Sequence, residues 1–233
     1  FQVVNSSGID ITRKFTPILK ELFLLIWFYS IKNDIGISNE KIIEILWHGF
    51  IESSAQNNKA VSIAKLRVII GEEFFSELSY KETGCWKIDY KNSHILNDYY
   101  EVLKIINLET ELSENDILNI VDLGHRGALL SNLKYKWLDE FKVTTSNNMS
   151  KIFVKYLETL TIKDKPEHVI KVADSILNYD CMCEDAMVKK CKALISLGRH
   201  TMAKEVYDHY SIEYRSLYKT NYAKSFTDIA NLG

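Results

Sequence analysis

Apolar positions fall in three- and four-residue steps along most of this chain, with one short alternating stretch before the midpoint. Ile18, Leu22, Leu25, Ile26 and Tyr29 keep that spacing, which predicts a helix with one strongly buried face. Thr16-Pro17 marks its start, with Thr16 as N-cap and Pro17 at the first helical position, where a missing N–H costs nothing. Ser38 caps a second helix whose core face is Ile42, Ile43, Leu46 and Trp47, although Lys41 stands where a capping box has Glu. A third helix begins near Ala55, carries Asn57-Asn58-Lys59, and closes with Leu66-Arg67 and Gly71. Glu77 to Glu82 and Gly84 to Tyr90 then alternate as half-buried strands do. Ahead of the first helix, Gln2-Val3-Val4 and Ile9-Asp10-Ile11-Thr12 flank a turn over Asn5-Ser6-Ser7-Gly8, which predicts a small β-hairpin.

From Asn97 onward strand signals stop. Helical segments are predicted over 97–107, 113–123, 128–143, 148–163, 166–179, 183–197, 199–213 and 215–231. Small residues stand where paired helices cross closely (Ala173, Ala186, Ala193, Ala203), and Gly198 sits at a helix end where a left-handed conformation is cheap. The polar seam from Lys91 to Asn97 divides the chain into residues 1–92 and 93–233. The expected fold is mainly α with a small β portion. Helix, helix, hairpin is the winged-helix order. The second half follows the grammar of tetratricopeptide-like helical hairpins, although no strict period of about 34 residues survives.

Two pieces resemble known families. Phe1 to Tyr90 resembles the OmpR-type winged-helix DNA-binding domain, on Leu46-Trp47, the spacing Val61, Ile63, Leu66-Arg67, and the closing aromatic Trp86. About Asn97 to Ile229 resembles the helical bacterial transcriptional activation domain that follows such a winged helix in SARP-type regulators. That likeness rests on Gly127-Ala128-Leu129-Leu130, Trp137-Leu138-Asp139, Asp180 with Glu184-Asp185-Ala186, and Leu197-Gly198-Arg199 with Ala203 and Tyr207. The chain departs from the pattern at His48, where the family usually has Pro, and at Thr83-Gly84-Cys85-Trp86, which keeps one wing glycine out of place. The resemblance implies a transcriptional regulator that binds double-stranded DNA, often as tandem copies on repeated half-sites. Its helical part would contact RNA polymerase or other transcription machinery, or self-associate.

The residue chemistry can be read beside that. With Ile63, Leu66 and Ile70 as the buried stripe of the third helix, Asn57, Asn58, Val61 and Lys65 fall opposite, with Ser62 and Ala64 at the edges. Asn pairs with an adenine edge, Lys reaches guanine or phosphate, and Val packs on a thymine methyl. Lys59 and Arg67 lie nearer the core side, suited to backbone phosphate or an internal carboxylate, while Lys81, Thr83 and Lys87 of the hairpin suit phosphate or the minor groove. A solvated helix could carry the same residues, and a protein-interaction scaffold with a degenerate winged helix is the alternative reading.

Composition narrows the field further. Hydrophobic residues at 46% and charged residues at 26% describe an ordinary globular protein. A formal net charge of −2 speaks against strong non-specific nucleic-acid binding, so any DNA-binding cations must be sorted onto one face. Lys59, Lys65, Arg67, Lys81 and Lys87 are expected to share that side, apart from Glu72, Glu73, Glu77 and Glu82. The apolar run Leu22 to Ile31 is about half the roughly 20 residues a bilayer needs, so no membrane contact is expected. Four clustered cysteines suit a reducing compartment, hence the cytoplasm. Cys181, Cys183 and Cys191 lack a fourth ligand for zinc, His125 lacks a nucleophile to partner it, and no phosphate-cradling glycine loop occurs. No catalysis, cofactor, metal or small-molecule substrate is expected. The chain starts at Phe1 and reads as the output part of a longer signalling protein.

Overall fold

The computed structural model describes residues 1–5, 7–71, 84–91, 97–107 and 113–231. It is mainly helical with a small two-stranded sheet, and it divides into two compact units, Phe1–Tyr100 and Glu101–Gly233. The division falls inside a helix, Asp98–Ile106, rather than at the polar seam before Asn97.

In the first unit α1 (Pro17–Asn33) starts at the expected Thr16-Pro17 pair, although the Thr16 hydroxyl makes no capping hydrogen bond. Burial extends beyond the face marked by the three- and four-residue spacing. Leu22 and the run Leu24 to Phe28 are all buried, so α1 is enclosed on every side. Ser30 is fully buried within it and satisfied twice: its Oγ donates to the Ile26 carbonyl at 2.7 Å and accepts from the Ile88 N–H at 3.0 Å.

Next come β1 (Ile37–Ser38), α2 (Asn39–Leu46) and α3 (Glu52–Ile70), and after them β2 (Cys85–Trp86). β1 is too short to leave an alternating signature. It pairs antiparallel with β2, Ile37 opposite Trp86 and Ser38 opposite Cys85. Ser38 caps α2 as expected, its Oγ accepting from the Lys41 N–H at 3.2 Å. The strand expected over Gly84 to Tyr90 is therefore shorter, and Glu77 to Glu82 lies outside the described residues. The N-terminal hairpin reduces to one bridge, Val4 opposite Asp10, followed by a 3-10 turn at Thr12–Lys14.

Gly36 lets β1 and β2 meet. Its φ is +97°, and a Cβ there would sit 2.1 Å from the Trp86 carbonyl oxygen. Asn33 holds this bend, its Oδ1 accepting from the N–H groups of Ile35 (3.1 Å) and Gly36 (2.9 Å). Asp34, left-handed at φ 57°, ends α1 and takes ion pairs from Lys87 and Lys91, both at 2.8 Å.

The second unit holds the latter part of α4 (Asp98–Ile106), then α5 (Glu114–Gly124), α6 (Asp139–Thr159), α7 (Pro166–Tyr179), α8 (Glu184–Ser196), α9 (His200–Tyr218) and α10 (Phe226–Asn231). From α5 to α9 each helix packs on the next in chain order, and α10 folds back on α8. Ala173, Ala186, Ala193 and Ala203 are fully buried, which fits crossings that need small side chains. Gly198 has φ +73°, its N–H bonds the Ile195 carbonyl and the Arg199 N–H bonds that of Leu194, a Schellman end.

Two sequence expectations fail in this unit. Residues 128–143 and 148–163 are not two helices: a turn region with Gly127 and Leu130 at positive φ leads to a 3-10 turn (Lys136–Leu138) and then the single helix α6. Its buried positions Phe141, Thr145, Met149, Phe153 and Leu157 run unbroken through the polar Ser146-Asn147-Asn148. Likewise 199–213 and 215–231 become the long α9 and the short α10.

Candidate nucleic-acid interface

The outward surface of α3 follows from its phase. Ala55, Lys59, Ser62, Ile63 and Leu66 are buried and fix the inner side against α1 and α2. The exposed residues Ser53, Asn57, Ala60, Val61, Ala64, Lys65 and Val68 then form one continuous stripe. At 3.6 residues per turn this stripe covers roughly 140° of arc. Val68 is 85% exposed and Val61 44%, so neither is a core residue. After Glu52 the helix carries Lys59, Lys65 and Arg67 and no acidic residue.

The expected contact residues sort into three groups. Asn57, Val61 and Lys65 stand on the stripe, and Asn58 is half-buried at its edge. Lys59 lies on the inner side, as its phase suggests, and Ser62, expected at the edge, is corrected to that side: Lys59 is 7% exposed and Ser62 9%. Lys59 Nζ donates to Asn39 Oδ1 at 2.7 Å and to Gln56 Oε1 at 2.8 Å, two neutral acceptors. Burial pushes the Lys59 ammonium down from its ordinary value, opposed by the Glu40 carboxylate nearby. Asn39 Oδ1 also accepts from Trp86 Nε1 at 2.8 Å, so one side-chain oxygen joins α2, α3 and β2. Arg67 is half-buried with its guanidinium over the Trp86 ring, 5.4 Å from the centroid. Lys87 is half-buried and ion-paired with Asp34. Lys81 and Thr83, like Glu72, Glu73, Glu77 and Glu82, lie outside the described residues.

The cations expected on one side are thus divided, with Lys65 on the stripe and Lys59, Arg67 and Lys87 engaged within the unit. The role of Asn39 escaped sequence reasoning. Its partners are 20 and 47 residues away, and only an Asn directly after an N-cap hinted at it.

Two further apolar residues, Phe50 (58% exposed) and Ile51 (77%), stand just before α3. In the second unit an open cavity of about 550 Å³ is lined by Ser146, Asn147, Ser150, Lys151 and Val154 of α6 with Tyr179 and Asp180 at the end of α7. His125 is exposed at the end of α5. Cys191 is buried, its Sγ facing the Ala203 carbonyl at 3.4 Å, whereas Cys181 is exposed. Among the described residues no group of three or more His, Cys, Asp or Glu could hold a metal ion. No helix there is long and apolar enough to cross a membrane. No protein-family model matches the chain, and no match was found among curated proteins.

Proposed function

We propose that this chain is a DNA-binding transcriptional regulator in which Phe1–Tyr100 is a winged helix and α3 its reading helix. The observation that carries the reading is the α3 stripe: an amide (Asn57), an ammonium (Lys65) and small or branched apolar groups between them, on a helix free of acid after Glu52. Such a surface matches a major groove, which offers acceptors, donors and thymine methyls under a polyanionic rim. The element order supports it, since a strand between the first two helices pairs with a strand after the third, as in the small sheet of a winged helix. The second unit, read as a tetratricopeptide-like domain of stacked hairpins, serves protein contacts with transcription machinery or another copy of the chain. The reaction class is binding, with no catalytic step.

A single Lys65 on the described stripe gives modest electrostatic affinity, so tandem occupancy of repeated half-sites supplies avidity. The test is selection of duplexes from a randomised pool by the 233-residue chain, then titration over a salt series. The reading expects a linear fall of log affinity with log salt at about −0.9 per phosphate contacted, with Lys65→Ala reducing the slope by about one. Asn57→Ala should cost about 1–3 kcal/mol on the enriched sequence.

A second reading, a protein-interaction scaffold on a winged helix that leaves DNA alone, draws on the internal engagement of Lys59 and Lys87 and on exposed Phe50, Ile51 and Val68. That reading expects no enrichment and no steep salt slope.

A further inference from the structure

We infer that the α3 stripe is a methyl reader, selecting duplex sites whose central major groove presents thymine C5-methyl groups; this rests on the DNA-binding reading above. The stripe positions Asn57, Ala60, Val61, Ala64, Lys65 and Val68 are all exposed. Ala60, Val61, Ala64 and Val68 expose only hydrocarbon side chains. They sit at steps of one, three and four residues, so their methyls form a continuous band along the helix. Nothing else in the described first unit covers them.

A groove-facing band of this kind has one feature of a base pair to match. In the major groove the thymine methyl is the one bulky apolar group on a base edge; cytosine offers only a C–H at that position. Setting methyls against the acceptors of a G·C pair would bury those acceptors without partners, which is costly. Setting them against thymine methyls buries apolar surface on both sides. Ala60 and Ala64 add a steric element: as the smallest side chains, one turn apart, they let the helix axis come close to the base edges. Val68, 85% exposed, and Val61, 44% exposed, then carry the branched methyls of the band outward. Asn57 ahead of the band and Lys65 along its edge supply polar contacts, the first suited to an adenine N6/N7 pair and the second to phosphate. The run from Ser53 to Ile70 carries Lys65 and no carboxylate, so a polyanionic duplex meets no like charge along it.

The experiment uses the intact chain and duplexes enriched from a pool with a randomised 20-base-pair core. Each enriched duplex is remade with deoxyuridine for thymidine in the core, which deletes the methyls and leaves every hydrogen-bonding group. The inference expects thymine-containing cores and a loss of about fourfold per methyl read. Val61→Ser, at an exposed site that leaves the core untouched, should narrow the gap between the thymidine and deoxyuridine forms by about fourfold, the share of one methyl. Equal binding of both forms by the unchanged chain overturns the methyl reading while leaving DNA binding in place. Enrichment of G·C-only cores does the same. Binding of no duplex overturns both readings, and if Val61→Ser then dissolves a self-associated form of the chain, the stripe is a protein-docking face.

Discussion

Replacing Gly36 with Ala attacks the point where the small sheet meets the helices. Two penalties add there. With φ at +97° a Cβ is strained by about 1–2 kcal/mol from backbone conformation alone. That Cβ would also lie 2.1 Å from the Trp86 oxygen, 2.8 Å from the Trp86 carbonyl carbon and 3.1 Å from the Lys87 Cβ. The first two are backbone atoms of β2, so relief requires moving the strand, an overpacking cost of about 1–3 kcal/mol. The sum is about 2–5 kcal/mol, or a fall of at least about 8 °C in the first unit's melting temperature. Gly49→Ala is the control, because Gly49 has φ +82° but nothing within 4 Å of a built Cβ. It carries the conformational penalty alone. Unfolding followed by tryptophan fluorescence, with amide exchange over residues 84–91, measures both variants. The Ile88 amide, bonded to Ser30, should lose protection in Gly36→Ala and keep it in Gly49→Ala. If the two variants melt together, β2 does not dock against Gly36 and the reasoning fails.

Asp34→Asn tests the ion pairs at the end of α1. Hydrogen bonds from Lys87, then from Lys91, hold the Asp34 carboxyl down at about 2. A depressed carboxyl stabilises the fold above its unfolded pKa, and that stability is lost as pH falls from about 4 towards about 2. Asp34 is half exposed, so screening limits the effect at neutral pH to about 1 kcal/mol or less, and wild type and variant should converge near pH 2 in urea titrations. Lys59 contributes with the same sign at the other end of the scale: its lowered pKa means the unfolded chain binds more protons, so stability rises as pH climbs towards the ordinary lysine value. Lys59→Met should flatten that alkaline rise and change duplex affinity far less than Lys65→Ala does. In the second unit a Cβ on Gly124 would lie 3.0 Å from Phe153 Cζ and 3.4 Å from Ser175 Cβ. Gly124→Val should therefore destabilise by about 1–3 kcal/mol, and Phe153→Leu should recover part of it in a double-mutant cycle.

Where apolar spacing was dense, the sequence predicted elements closely. The Thr16-Pro17 start, the Ser38 cap and the 166–179 helix all appear as read. Failures came where a polar run imitated a boundary. The break placed between 143 and 148 falls on Thr144 to Asn147, yet the buried stripe from Phe141 to Leu157 runs straight through it. Thr145, buried in that stripe, satisfies its hydroxyl on the Phe141 carbonyl at 2.7 Å, a bond invisible to apolar counting. The candidate interface was half legible. Ile63 and Leu66 set the phase of α3 correctly, and Asn57, Val61 and Lys65 followed from it. The phase also put Lys59 nearer the core but could not name its partners, because Asn39 and Gln56 offer neutral acceptors from across a tertiary contact and one turn back. β1 could not be read from two residues. It depends on Gly36 bringing the backbone beside Trp86.

The most direct measurement is site-specific photocrosslinking of the chain to an enriched duplex. A benzophenone amino acid replaces Val61 in one sample, Val68 in a second and, as an exposed control on the second unit, Val143 in a third. The account predicts DNA adducts from positions 61 and 68, mapped to the thymine-bearing core, and none above background from position 143. Adducts to protein from positions 61 and 68, or DNA adducts from position 143 alone, would contradict it.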